Sequence, residues 1–422
     1  MIKWRSGVKH RICQWAYRTG HSVETALLKV KSDILQYLDN CCCVILVMLD
    51  LSAAFDTVDH QLLLQRLTQD FGLSGTVLAW LKSYLTDRTQ SMMLISVKSS
   101  VHNVPCGVPQ GSVLGPMLFT CYTSPLGTIA RKYNVSFHCY ADDMQLYVPF
   151  QPGNLESEAS AVSQLQDCLS EIKLWMLHNK LKLNDSKTEL LLLGKQPHLH
   201  KCSISFLTVG DSTITPSSTV SNLGFHLDSS LTMGKHIAAV CKSSWFYLKN
   251  IRAIRKYLTM EDTQTLMHAF VSSRLDFWNS LLFGTSATLI SQLQLVQNAA
   301  ARIVSKAGKY EHVSPILHSL HWLPVHYRII FKVLLTVYKA VHGLSAGYLS
   351  DQLAYYEPSG KLRSSAQYLL KVPRMNLVTC GDNSFYACGP KLWNRLPLFI
   401  RTSSTVDIFK SRLKTHLFAK CF

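Results

Sequence analysis

Acidic residues are scarce in this chain, 26 Asp and Glu against 43 Lys and Arg in 422 residues, and the shortage falls in one half. Residues 1–230 carry 19 basic and 18 acidic side chains, whereas residues 231–422 carry 24 and 8. The net charge of +17 therefore comes almost entirely from the second half, a polarity that suits a grip on a polyanion. Cysteines number 13, an odd and scattered set without a C-x-x-C pair. That excludes a zinc knuckle or a disulfide framework and fits an intracellular, reducing location, nuclear or cytoplasmic. Cys41 to Cys43 read as small hydrophobes ahead of a strand. Long apolar runs are missing too: Val44–Leu49 is far too short to span a bilayer, and no signal peptide is evident, so no membrane partner is expected. Arg252-Ala253-Ile254-Arg255-Lys256 is too sparse for a nuclear signal.

Against this background the placement of a few acids is informative. Val135, Phe137 and Cys139 alternate with Ser136 and His138, and Leu146 and Val148 continue the pattern, so Tyr140-Ala141-Asp142-Asp143 falls at the tip of a β-hairpin. Adjacent carboxylates repel, and a divalent cation compensates them when they are buried. Alone, such a pair also suits a solvated turn. A third acid, Asp50, ends the apolar run Val44–Leu49, which reads as a buried central strand, and packing alone explains an acid there poorly. Between these acids lies Gly107-Val108-Pro109-Gln110-Gly111-Ser112-Val113-Leu114-Gly115-Pro116, with glycines that allow close backbone approach to a ligand and Ser112 as a plausible N-cap for the helical stretch from Met117 to about Ile129. An ordinary Gly/Pro loop would read the same.

The order of these elements resembles one known arrangement. Leu49–His60 resembles the first palm motif of a reverse transcriptase, Cys106–Pro116 the second and His138–Tyr147 the third. Lys182-Leu183-Asn184-Asp185-Ser186-Lys187-Thr188-Glu189 is similar to the fourth, and Leu223-Gly224-Phe225-His226-Leu227-Asp228 to the primer-grip turn. Leu295–Arg302 and His321-Trp322-Leu323-Pro324-Val325 extend the likeness almost to the last residue. The family is that of vertebrate non-LTR (LINE-type, CR1/Rex-like) retrotransposons.

The resemblance implies an α+β fold, a right-hand polymerase palm of antiparallel sheet with packed helices, then a helical thumb and a basic C-terminal region. The expected boundaries are 1–230 for the palm with partial fingers, 231–310 for the thumb and 311–422 for the rest. It implies RNA-directed DNA polymerase activity by two-Mg²⁺ nucleotidyl transfer, with Mn²⁺ as a substitute ion. Asp50 and Asp142 would hold the ions, Asp143 would support them and the Leu51 carbonyl would complete a coordination sphere. Phe55 resembles the steric gate that clashes with a ribonucleotide 2′-hydroxyl, although on composition alone it reads as a core aromatic. Gln110 and Gly111 would support the incoming nucleotide and template. Lys187 would meet the leaving pyrophosphate, a role no better founded than that of a solvated hairpin lysine. The implied partners are an RNA template, a DNA primer and dNTPs, with a retrotransposon ribonucleoprotein as the setting.

The residues add one feature of their own. From about His236 to Tyr257 the chain reads helical, and Lys235, Lys242, Lys249, Arg252 and Lys256 share one face. Ile237, Val240, Trp245, Leu248 and Ile251 are expected to pack. Further helices are expected at about 76–85, 157–178, 261–282, 287–306 and 325–342, and a hairpin at 89–104. Trp15-Ala16-Tyr17-Arg18-Thr19-Gly20-His21-Ser22 is similar to the family's Q-x-G-F-R-x-G-H-S segment, with its glycine and phenylalanine replaced. The longer fingers region expected before it, an endonuclease domain and an RNase H carboxylate set are not recognisable, so the chain reads as N-terminally truncated. A catalytically inactive remnant that binds RNA or DNA is therefore the alternative, with a metal-dependent nuclease a distant third.

Overall fold

A computed structural model of the chain describes residues 16–210, 212–357 and 367–422; Trp15 lies outside them. They gather into two compact units, one of residues 16–18 with Cys43–Ser218 and the other of Thr19–Cys42 with Thr219–Phe422.

The first unit is built on five strands, β1 (Cys43–Leu49), β2 (Ser136–Tyr140), β3 (Asp143–Phe150), β4 (Glu189–Leu193) and β5 (Pro216–Ser217). Their order is β5-β4-β1-β3-β2, antiparallel except for the short parallel pair of β4 and β5. The apolar run of β1 makes it central, and all seven of its residues are buried. Three helices cover one face: α1 (His60–Gln69), α2 (Gly115–Thr123) and α3 (Leu155–His178). Asp59 caps α1, its Oδ1 accepting from the Leu62 amide at 2.9 Å, and Asn154 caps α3 in the same way. Ile45, Val47 and Leu49 belong to one core cluster with Leu63, Phe119, Leu165 and Ile172. Each such side chain contributes about 1.5–3 kcal/mol relative to exposure.

The alternation of β2 suggested an outward His138, but His138 and its cross-strand neighbour Gln145 are both buried. Polar residues facing each other across a ladder can be buried as a pair, which alternation along one strand does not reveal.

The second unit is mostly helical. Ser22 and Thr25 form a capping box for the helix Val23–Asp39, and Asp39 at its end accepts from the Asn376 and Leu377 amides at 2.9 and 2.7 Å. A hairpin, Thr219–Asn222 with Phe225–Asp228, turns through Leu223 and Gly224, both with positive φ. A Cβ on Gly224 would stand 2.8 Å from the Trp278 ring. Next come α4 (Gly234–Ile254), α5 (Ala287–Ser305), α6 (Val325–Val341) and α7 (Val406–Cys421).

The helix expected over 261–282 is interrupted. Met260–Met267 passes through a π-helical turn, His268–Ser272, to Ser273–Asp276, and left-handed Trp278 (φ 58°) then ends it. The Trp278 ring meets Phe225 and His236 edge-on at 6.1 and 5.7 Å, contacts that periodicity along the chain could not show.

His236 is buried against Phe225, with ring centroids 4.0 Å apart, and its pKa falls to about 4, through burial first and the neighbouring His226 second. A depressed histidine pKa means that the unfolded chain takes up this proton first. Stability present above about pH 6.5 is therefore lost as the pH falls toward about 4, by about 3 kcal/mol at most. Urea unfolding at pH 7 and pH 4.5 should show this loss in the wild-type chain and a smaller one in His236→Phe; equal losses would contradict the assignment.

Candidate functional site

The register of the first unit brings the candidate acids together. The last pair of the β1–β3 ladder is Leu49 with Met144, so one step further the antiparallel register sets Asp50 beside Asp143. Tyr140 pairs with Asp143 across the β2–β3 hairpin, leaving Ala141 and Asp142 as its two-residue turn. Ala141 is left-handed at φ 59°, a conformation that costs a residue with a Cβ of the order of 1 kcal/mol. The Asp143 carboxyl is pushed up to about 6, by burial first, then by the charge of Asp142 and that of Asp50.

Asp50 is fixed from the other side. The Asn184 amide donates to the Asp50 carbonyl at 2.9 Å, and Asn184 Nδ2 donates to Asp50 Oδ2 at 3.3 Å. Lys187 Nζ stands 3.4 Å from the same carboxylate oxygen. Leu51 is buried and pairs with Leu183 in a two-residue ladder that carries Asn184 to this position. The structure thus joins Lys187 to Asp50, while most of the lysine side chain stays in solvent.

The glycine-rich segment docks on the residues after Asp50. The Gly107 amide donates to the Val58 carbonyl and the Val108 amide to the Phe55 carbonyl, both at 2.8 Å. His60 Nε2 lies 2.7 Å from the Gly107 carbonyl oxygen. Gly107 sits at φ +88°, where a Cβ would be 2.8 Å from the Asp56 carbonyl oxygen, so no other residue fits there without displacing the first motif. Gln110 Nε2 donates to both Asp56 carboxylate oxygens at 3.2 Å. Gly111, at φ +78°, has open space around the position of a Cβ. Phe55 is half-buried against Phe119, with ring centroids 4.7 Å apart. Ser112 sits before the helix rather than at its N-cap, Leu114, yet its Oγ accepts from the Gly115 amide at 2.9 Å.

Three residues at this site escaped the sequence reading of roles: Asn184, Asp56 and Tyr17. The Tyr17 phenol is raised above its ordinary value, by partial burial first and the charge of Asp142 second, which places it within electrostatic reach of the turn. The only sequence sign of each was its membership of a matching motif.

Among the described residues, no group of three or more His, Cys, Asp or Glu side chains is gathered closely enough to hold a metal ion. The donor chemistry nevertheless suits a hard divalent cation, because Asp143 feels two neighbouring carboxylates in a partly desolvated site. Such a cation would relieve the repulsion and take the remaining ligands from a bound substrate or water.

In the second unit, Lys235, Lys242, Lys249, Arg252 and Lys256 are all exposed. The buried residues of α4 are His236, Ile237, Ser244, Leu248 and Ile251, on the opposite face. Trp245, expected to pack, is 47% exposed, and Phe246 is 60% exposed. At 100° per residue both fall on the basic face, which therefore carries aromatic rings between its cations.

Residues 11–227 match the model of the family described as "Reverse transcriptase (RNA-dependent DNA polymerase)". The chain is 27% identical over 316 residues to the probable RNA-directed DNA polymerase from transposon BS of Drosophila melanogaster, covering 70% of this chain and 33% of the relative. It is 25% identical over 321 residues to the RNA-directed DNA polymerase from mobile element jockey of the same species, covering 73% and 33%. The chain thus spans about a third of the length of these relatives. A solved structure of telomerase from Candida albicans is similar over 75% of this chain and 56% of its own, at 13% identity and a TM-score of 0.38, too low a score to inform the fold.

Because its raised pKa makes the folded chain hold the Asp143 proton more tightly than the unfolded chain, ionised Asp143 lowers stability above about pH 6. Removing one repelling charge should therefore stabilise the metal-free protein. Asp142→Asn is expected to raise stability at pH 7.5 by about 1 kcal/mol and to lower the Asp143 midpoint seen by NMR titration. A midpoint near 4 in the wild-type protein would contradict the electrostatic account.

Proposed function

Because the chain belongs to the reverse transcriptase family, we propose that it is the polymerase portion of a non-LTR retrotransposon enzyme and extends a DNA primer on an RNA template. The single observation that carries this reading is the convergence of Asp50, Asp142 and Asp143 at the carboxyl end of β1, with the Gly107–Pro116 segment docked beside them. The narrower assignment is to the vertebrate CR1/Rex-like group, acting in an intracellular ribonucleoprotein. Residues 1–230 would serve as palm and partial fingers, 231–310 as thumb and 311–422 as a basic C-terminal region.

Asp50 and Asp142 would hold two Mg²⁺ ions, with Asp143 and the Leu51 carbonyl in support. Such ions, when bound, activate the primer 3′-hydroxyl and neutralise the triphosphate. The chain's own groups do the positioning. Asn184 fixes both the backbone and the carboxylate of Asp50, so the acid at the strand end has one preferred orientation. Lys187, close to Asp50 but largely in solvent, is free to follow the leaving pyrophosphate with its charge or a proton. Asp56 holds the Gln110 amide, which with Gly111 would border the nucleotide and template.

Phe55 would act as the steric gate. Its ring is braced by Phe119 and its carbonyl is bonded to Val108, so it cannot easily yield to a 2′-hydroxyl. On α4, cations interleaved with Trp245 and Phe246 suit contact with a nucleic-acid backbone and its bases.

Primer extension on an RNA template with Mg²⁺ and dNTPs tests this reading. The wild-type chain should extend the primer, and Asp50→Asn should lower the rate at least 10²-fold, as expected for loss of an electrostatic group acting on the transition state. Absence of extension, with salt-sensitive RNA binding retained, would instead identify a nucleic-acid-binding remnant. Phe55→Val should raise ribonucleotide incorporation relative to dNTPs by roughly tenfold or more, whereas an unchanged ratio would remove Phe55 from the gate.

A further inference from the structure

Two motifs in the second half, Leu295–Arg302 and His321–Val325, have no part in the polymerase chemistry above. The structure shows that they build one feature. Gln297 Nε2 donates to the Leu323 carbonyl at 2.8 Å, the Val325 amide donates to Gln294 Oε1 at 2.9 Å, and Arg328 Nε donates to the Leu323 carbonyl at 2.9 Å. These bonds fix the turn ahead of α6, in which His321 is held left-handed at φ 54°.

The turn forms one wall of a cleft of about 380 Å³ inside the second unit, completed by α6, Lys414 of α7 and the broken helix around His268. Its apolar lining runs from buried Trp322 and Leu323 to half-buried Phe331, and the His268 ring meets Trp322 edge-on at 5.4 Å. Its rim is cationic. Arg328 is paired with Asp276 at 2.7 Å and Lys332 with Glu24 at 3.0 Å, but exposed Lys414 has no ion-pair partner among the described residues. Trp322 Nε1 and Asn279 Oδ1, of two residues that line the cleft, are buried and have no hydrogen-bond partner among the described residues.

We propose that this cleft binds one unpaired nucleotide of a single-stranded nucleic acid, its base on His321 and Phe331 above Trp322 and its phosphate at Lys414. A planar base stacks on aromatic rings without regard to sequence, and the cleft offers such rings beside exposed Lys414. The volume suits one flat ring with its phosphate and is too small for a base pair. An acidic peptide would satisfy Lys414 but would leave the aromatic lining unused. The cleft is separate from the carboxylate turn and from the basic face of α4, and the proposal holds whether or not the chain polymerises.

Photocrosslinking of 5-bromouracil-substituted ten-nucleotide strands, RNA and DNA, to the full chain tests it, with crosslinked peptides mapped by mass spectrometry. The share of crosslinks in residues 318–335 should be substantial and should fall about tenfold in the double variant His321→Ala, Lys414→Glu, while crosslinks to α4 persist. Both substituted positions are exposed, and an unchanged circular dichroism spectrum would show that the variant remains folded. The strand with the higher yield identifies the source of the nucleotide, and a crosslink from either supports the site. No crosslink in residues 318–335, or an undiminished share in the variant, would overturn the proposal. So would competition by poly-glutamate as effective as that by an unlabelled strand of equal charge, since the cleft would then recognise charge alone.

Discussion

Asp143 is held between the charges of Asp142, in the β2–β3 turn, and Asp50, just past the buried strand β1, and the register of the first unit imposes that repulsion. The strand β1 is wholly buried and hydrogen-bonded on both sides, so its register cannot slip without breaking the ladders to β3 and β4 together. That rigidity places Asp50 beside Asp143 and keeps the Asp142 turn within its field. The raised Asp143 pKa and the left-handed Ala141 are the energetic signs that this geometry is imposed by the surrounding fold. The proposed metal-dependent chemistry gives that strain a use.

Support for the acids comes from residues distant in sequence. Asn184 reaches Asp50 from a two-residue ladder formed more than a hundred positions later in the chain, and Gln110 is tied to Asp56 through the docked glycine-rich segment. These hydrogen bonds let a substrate meet oriented groups instead of ordering them itself. The second unit carries cations beside apolar rings at two places. Its basic helix face carries two exposed aromatic rings, and its cleft combines an apolar lining with a cationic rim.

The sequence disclosed features that depend on local pattern. The hairpin tip at Tyr140–Asp143 and the burial of Val44–Leu49 were visible because period-two alternation and an unbroken apolar run are short-range signals. The positive face of α4 was visible for the same reason, at a period of 3.6. What depended on tertiary contact was hidden. Trp245 counted as a core residue by type, yet its angular position puts it among the lysines. The break at Trp278 lies within continuous apolar periodicity, and the contacts of its ring with Phe225, His236 and the Gly224 turn exist only in the folded chain. Helix Val23–Asp39 is tied into the second unit by bonds such as those Asp39 accepts from the Asn376 and Leu377 amides, pairings across more than 330 positions. The roles of Asn184, Asp56 and Tyr17 were hidden in the same way, since each acts on a partner that only folding brings near.

On the proposed function, Asp50, Asp142 and Asp143 would form a divalent-cation site when a nucleotide is present. Titration with Mn²⁺, followed by electron paramagnetic resonance in the presence of primer, RNA template and a non-hydrolysable dNTP analogue, measures this directly. The expected result is protein-dependent uptake of Mn²⁺ by the wild-type complex, beyond what the nucleotide and nucleic acid bind alone, and its loss in Asp142→Asn. Equal uptake by the two proteins, or none beyond the protein-free control, would contradict the account.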